Sequence, residues 1–272
     1  MLGSVFSPYY AWSGRGDPLD HCALNVALYG AAGHRWALTE RGRPSVARDA
    51  SRLTIGPSSI AWEGDALVIR FDEMTFPIPS RLRGTVRLHP LLLTEHVEVL
   101  DGQARHRWWP VAPLARVEVE LERPALSWSG VGYHDANAGD ESLEAGFVDW
   151  DWSRGALGRE AAVLYDMRRR DGSERTLALR FRPDGGVEHL DPLPRAELPG
   201  TLWRVRRRTQ SEPGHPVAVR QTLEDTPFYA RSVVETRLLG RSVTTMHESL
   251  ALDRFAANWV RLLLPFRMPR RR

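Results

Sequence analysis

Two short polar-aromatic clusters in the middle of the chain hold the side chains best suited to chemistry. They are His106-Arg107-Trp108-Trp109-Pro110 and Gly132-Tyr133-His134-Asp135-Ala136-Asn137. Between them runs Arg116-Val117-Glu118-Val119-Glu120-Leu121-Glu122, in strict alternation of charged and apolar residues, so the clusters belong near strand ends. One carboxyl, two imidazoles and several large rings suit proton transfer to an apolar, electron-rich substrate: the acid supplies a proton and the ring faces shelter the resulting cation. Asp135 is the candidate acid, with His106, Trp108 and Tyr133 around it. From residue types alone a turn accounts for the same segment, because Asp and Asn beside Gly commonly cap backbone amides. His106 and Trp108 read equally as a strand-end histidine and a core tryptophan.

Other chemistries find less support. His106, His134 and Asp135 could be drawn as a metal site, but no His-x-His or His-x3-His pair backs them, and no metal is expected. There is no Gly-x-Ser-x-Gly elbow, and Ser7, Ser13 and Ser129 stand in no activating context. Gly14-Arg15-Gly16 lacks the lysine of a phosphate loop, so no nucleotide and no cofactor of any kind is expected. Cys22, the single cysteine, cannot form an internal disulfide and reads as a core thiol in a reducing compartment.

The elements that must position these residues are mostly strands. Leu67, Ile69 and Phe71 share one face of a run, as do Leu177, Leu179 and Phe181 of another. Asp171-Gly172 separates the latter from Ala162–Met167 as a hairpin, and Pro183-Asp184-Gly185-Gly186 turns the chain again. Runs near 217–219, 232–235 and 242–245 continue the pattern. One helix is expected near the end, where Phe255, Trp259, Leu262 and Leu263 recur at helical spacing before Pro265. The expected fold class is all-β, with antiparallel strands closed into barrels or sandwiches. A turn-rich junction from Asp140 places a boundary near residue 145, giving domains 1–145 and 146–272.

Hydrophobic residues at 42% suffice for a core, and 26% charged residues suit a soluble surface. Every basic residue is arginine, and the net charge of +3 is too small, without a recognisable module, to suggest nucleic acid. Arg168-Arg169-Arg170, Arg206-Arg207-Arg208 and Arg270-Arg271-Arg272 make local basic spots. The last follows an apolar segment, which suits either an anionic membrane surface or a helix packed on the second domain with a solvated basic tail. No run reaches transmembrane length and the N-terminus lacks the pattern of a secretory signal.

Several ordered segments resemble the bacterial carotenoid 1,2-hydratases, also called hydroxyneurosporene synthases. They are Phe6–Tyr10, His21–Gly30, Trp36–Gly42, Ile55–Ser58, His106–Trp108, Pro110–Pro113 with Arg116–Val119, Gly132–Asn137, Trp150–Arg154 and Tyr165-Asp166. They span roughly the first two-thirds of the chain; the remainder carries only strand patterning. The resemblance implies two consecutive lipocalin-like domains and cofactor-independent addition of water to the terminal double bond of an acyclic carotenoid. It assigns acid-base work to a His-x-Trp motif, here His106 and Trp108, and a Tyr-x-Asp motif, here Tyr133 and Asp135. It also implies a bacterial cytoplasmic protein, peripheral on the cytoplasmic face of the membrane that dissolves the substrate.

The expected mechanism is acid catalysis. Protonated Asp135 protonates an isopropylidene end, the faces of Trp108 and Tyr133 stabilise a tertiary cation, and water positioned by His106 quenches it. Asp135 must then hold its proton near pH 7 against an ordinary value of about 3.9, which burial among rings would achieve. A terpenoid cyclase would share the acid but quench the cation with an internal double bond. A non-catalytic carotenoid or lipid carrier would need the cavity and no acid.

Overall fold

Hairpins build this molecule, and their glycines sit where a positive φ is needed. In the computed structural model, residues 1–30 and 33–271 are described; Arg272, the end of the last basic triplet, lies outside them. The Asp171-Gly172 turn joins the strands Glu160–Arg169 and Glu174–Phe181, with Gly172 at φ +84°. The Pro183–Gly186 turn leads to the short strand Val187–His189, and Gly185 likewise takes φ +84°. The structure is all-β apart from short helices, as the patterning predicts.

The chain forms two compact units. The first comprises residues 1–90, 116–130 and 258–272; the second comprises 91–115 and 131–257. This division differs from the single cut expected near residue 145. The strands His106–Arg123 and Leu126–Gly139 are long, and each contributes one half to either unit. No sequence signal marks a boundary inside a continuous strand.

In the first unit, the strands Val46–Arg48, Arg52–Ile55, Ser58–Glu63, Ala66–Met74 and Arg81–Leu92 succeed one another as antiparallel neighbours. Phe71, Leu82, Val119 and Leu121 lie in its core, with Ile69 packed against them. The face shared by Leu67, Ile69 and Phe71 continues to Glu73, which is buried. Arg41 donates to both of its carboxylate oxygens at 3.0 and 2.8 Å, and Ser58 donates to one at 2.6 Å. Gly84 is required where its strand meets the next: a Cβ there would stand 2.5 Å from the Glu120 carbonyl oxygen.

The expected single C-terminal helix is two, Leu252–Ala256 and Asn258–Leu263, because Ala257 adopts an extended backbone. Phe255 is buried in the second unit, whereas Trp259, Leu262, Leu263 and Phe266 are exposed on the first. The chain then returns to a strand: Arg270–Arg271 pairs in parallel with Glu40–Arg41. Cys22 is fully buried with its thiol directed at the Pro18 and Leu19 carbonyls, and burial pushes its pKa up, which supports the core reading.

The second unit is organised on a seven-stranded antiparallel sheet. Its order is Val187–His189, Glu174–Phe181, Glu160–Arg169, Phe147–Leu157, Arg241–Ala251, Tyr229–Leu238, Ala218–Asp225. The strand Phe147–Leu157 is central, and its alternation separates two environments. Asp151 and Ser153 are buried in a polar network with Arg208, Thr209, His247 and Ser249. Trp150, Trp152 and Arg154 alternate with them, so they stand on the opposite face.

Candidate active site

Asp135 is not in a loop. The segment Gly132–Asn137 is the later half of the strand Leu126–Gly139, which pairs with the strand His106–Arg123. Tyr133 and Asp135 are two residues apart on an extended backbone and therefore share a face; His106 and Trp108 do the same on the neighbouring strand. The alternation Arg116–Glu122 is the far half of the His106 strand, which is why it looked like a separate element.

The carboxyl of Asp135 receives two hydrogen bonds at the same oxygen. The Trp108 indole N–H donates to Oδ2 at 2.8 Å and the Tyr133 hydroxyl donates to it at 3.0 Å. Burial pushes the Asp135 pKa up to about 6; the two donors pull it back, and the charge of Glu248 adds to the rise. The same burial, with the Asp135 carboxylate beside it, raises the Tyr133 phenol well above its usual range.

Aromatic rings surround this pair. Trp108, 1% exposed, meets Tyr165 edge-on at 5.7 Å, and Tyr165 meets Trp150 at 6.0 Å. Trp152 lies 5.2 Å from Tyr133, and the Arg154 guanidinium stands 5.7 Å over the Tyr133 ring, held by the Pro113 and Gly132 carbonyls. Burial lowers the Arg154 pKa to about 10. The Trp152 indole N–H is buried with no acceptor among the described residues, a donor left over for a ligand oxygen.

His106 stands apart from this group. Its Nε2 is 3.2 Å from Glu141 Oε1 and its ring packs 4.8 Å from Phe147, which in turn meets Trp150 at 5.5 Å. Among the described residues no hydrogen bond or ring contact joins His106 directly to Trp108, Tyr133 or Asp135. His134 alternates away from Tyr133 and Asp135, and burial lowers its pKa. The rejected metal trio His106, His134 and Asp135 does not converge as a ligand group among the described residues.

A raised carboxyl is not by itself a mark of function. Asp151 also reaches about 6, yet it is bound by Arg208 at 3.1 Å and by Ser249 at 2.5 Å inside the polar network. Asp135 is hydrogen-bonded by the neutral donors Trp108 and Tyr133, so no ion pair holds it in the charged form. Ser13 shows the same caution. Its Oγ is 3.1 Å from His21 Nε2 and His21 Nδ1 is 2.8 Å from Glu40, but Arg270 is bonded to the same Glu40 oxygen and stands 2.7 Å from His21 Nδ1. That cluster is an ion-paired anchor for the end of the chain.

A family profile described as carotenoid hydratase CrtC matches residues 1–272. The chain belongs to that family. Curated relatives of this carotenoid hydratase family member bear the name acyclic carotenoid 1,2-hydratase. The protein from Thiocapsa roseopersicina is 57% identical over 99% of this chain and 68% of its own length. That from Rubrivivax gelatinosus is 51% identical over 100% and 68%, and that from Cereibacter sphaeroides is 40% identical over 100% and 97%. A crystal structure of a putative AttH from Nitrosomonas europaea superposes with a TM-score of 0.54 at 14% identity, covering 84% of this chain and 80% of that one. This likeness supports the all-β, lipocalin-like fold class.

Sequence reasoning missed Trp152, Arg154, Tyr165 and Glu248 as site residues. The first three lie in segments that carried the family resemblance, so that was their available signal. Glu248 had none: it reaches the site because its strand places it opposite Trp152. Replacing Glu248 with Gln removes a repelling charge and should lower the Asp135 pKa. A pH titration of the Asp135 carboxyl by NMR checks this, and an unmoved midpoint refutes the coupling.

Proposed function

We propose that this protein adds water across the terminal carbon–carbon double bond of an acyclic carotenoid, giving a tertiary alcohol, with Asp135 as the acid and no cofactor. The observation that carries the reading is the Asp135 carboxyl, lifted to about 6 by burial and held only by Trp108 and Tyr133. Family membership and the relatives' names supply the substrate class. With both donors on Oδ2, the acidic proton resides on Oδ1. It passes to the less substituted alkene carbon, the π pair forms the new C–H bond, and a tertiary cation remains on the neighbouring carbon. Water adds its lone pair to that cation and returns one proton to the Asp135 carboxylate, restoring the acid. Protonation by a fixed group of this kind contributes about 10²–10⁴-fold.

The ring roles divide by exposure. Trp108 is covered, so it positions Asp135, while the half-buried faces of Tyr133 and Trp152 are placed to attract the cation. The unpartnered Trp152 N–H is suited to hold the attacking water or the product hydroxyl. His106 is a positioning residue, acting through Phe147 and Trp150.

Incubation with an acyclic carotenoid in a detergent dispersion, followed by mass analysis, tests the reading. The expected product carries the mass of one added water and survives exhaustive chelation without added nucleotide or flavin. A cyclised isomer of unchanged mass would make it a cyclase, and bound but unchanged carotenoid would make it a carrier. Because such a substrate resides in membrane, we further assign peripheral docking to the exposed Trp259, Leu262, Leu263 and Phe266, edged by Arg261 and Arg267. No helix among the described residues is long and apolar enough to cross a membrane.

A further inference from the structure

We infer that His96, Glu98 and His189, all in the second unit, form a binding site for a divalent transition metal of the zinc class. His96 lies two residues before Glu98, which opens the short strand Glu98–Val99, and its ring reaches the Glu98 carboxylate; His189 ends the strand Val187–His189. Nε2 of His96 lies 2.8 Å from Glu98 Oε1, and Nε2 of His189 lies 3.1 Å from the same oxygen. The three ligand atoms are within 4.8 Å of one another, a convergence no other trio of His, Cys, Asp or Glu reaches among the described residues.

The dimensions suit an ion. With metal–ligand bonds near 2.0–2.2 Å, tetrahedral ligand atoms stand about 3.3 Å apart. The two His–Glu separations are within half an ångström of that, so only the imidazoles must draw together. His189 can supply that movement, because its side chain is 56% exposed at the end of a three-residue edge strand. The two rings already stand edge to face, 5.5 Å apart.

The surrounding groups also fit. Glu98 is buried, and Arg175 donates to its other oxygen, Oε2, at 2.5 Å. That contact fixes the carboxylate and leaves Oε1 turned toward the imidazoles, as an outer-shell partner does for a metal ligand. Two histidines and one glutamate leave a fourth tetrahedral position for water on the exposed His189 side. Without metal, one carboxylate oxygen must serve two imidazole donors. The placement has a structural consequence: Glu98 is the register partner of Trp108, so the ion would fasten the segment flanking the candidate active-site strand.

The test uses the full chain after chelation and Zn²⁺ or Co²⁺ alone as probe. Calorimetric titration should give one equivalent of Zn²⁺, Co²⁺ should develop the visible bands of a tetrahedral complex, and saturating metal should raise the Tm. His96→Ala and His189→Ala should each abolish the stoichiometric phase and the Tm increase. Arg175→Gln should weaken affinity by about 10–100-fold. No stoichiometric binding, or binding unchanged in both histidine variants, overturns the inference. Neither result bears on hydration, which is assigned to residues outside this trio.

Discussion

Asp135→Asn should lose about 10²–10⁴-fold of its hydration rate and yet become more stable at neutral pH. The amide keeps an oxygen for Trp108 and Tyr133 but has no transferable proton. The stability gain follows from the direction of the pKa shift. The folded-state value is raised from 3.8 to about 6, so the folded protein holds the proton over a range in which the unfolded chain has released it. The carboxyl's favourable contribution is therefore complete below about 3.8 and lost as the pH rises through about 6. Above that, folding keeps a charge among rings. At 1.36 kcal/mol per pKa unit the difference is about 3 kcal/mol at most, and imperfect pairing of the new NH₂ lowers it to about 1–3 kcal/mol. Urea unfolding should give the variant little advantage at pH 4 and its full advantage at pH 8. Near-normal turnover would remove Asp135 as the acid. Lower stability at every pH would return it to a structural role.

The same pair of observations explains what could be read from the sequence. His106, Trp108, Tyr133 and Asp135 were legible because acid, imidazole and ring types cluster within short motifs, and the motifs resemble a family. The structure brings Trp108, Tyr133 and Asp135 together because i, i+2 spacing on paired strands needs only local geometry. His106 obeys the same spacing, yet Phe147 takes its ring and Glu141 its nitrogen, and neither contact has a signal in the linear chain. Strand patterning identified the all-β class and the hairpins at Gly172 and Gly185, since each turn is encoded within four residues. The division into units was hidden because it falls inside three unbroken strands and between the last two helices. The His96-Glu98-His189 trio was hidden because its members come from segments some ninety residues apart that belong to different sheets and meet only through side-chain packing.

The basic tail gives the other large effect. Deleting residues 266–272 should destabilise the first unit by several kcal/mol rather than remove a solvated appendage. Met268 is buried with Ala23 and Leu38, and Arg270 is bonded to Glu40, whose side chain is wholly buried, and to Asp20 at 2.9 Å. The Glu40 backbone N–H donates to the Pro269 carbonyl at 3.0 Å, and the parallel register Arg270↔Glu40 fixes the pairing. Removing one partner of a buried ion pair costs about 3–5 kcal/mol, and losing a buried methionine side chain about 2–5 more where the gap cannot close. Thermal unfolding of the truncated chain should therefore begin well below that of the full chain. An unchanged Tm would mean that Arg270 adds nothing to Glu40. It follows that truncation cannot test membrane docking; exposed positions can. Leu262 and Phe266, 64% and 69% exposed, should tolerate Leu262→Glu and Phe266→Glu without loss of Tm. Each should weaken sedimentation with phosphatidylglycerol vesicles, and raised salt should weaken it further through Arg261 and Arg267. Undiminished vesicle binding in the double variant would refute docking through this face.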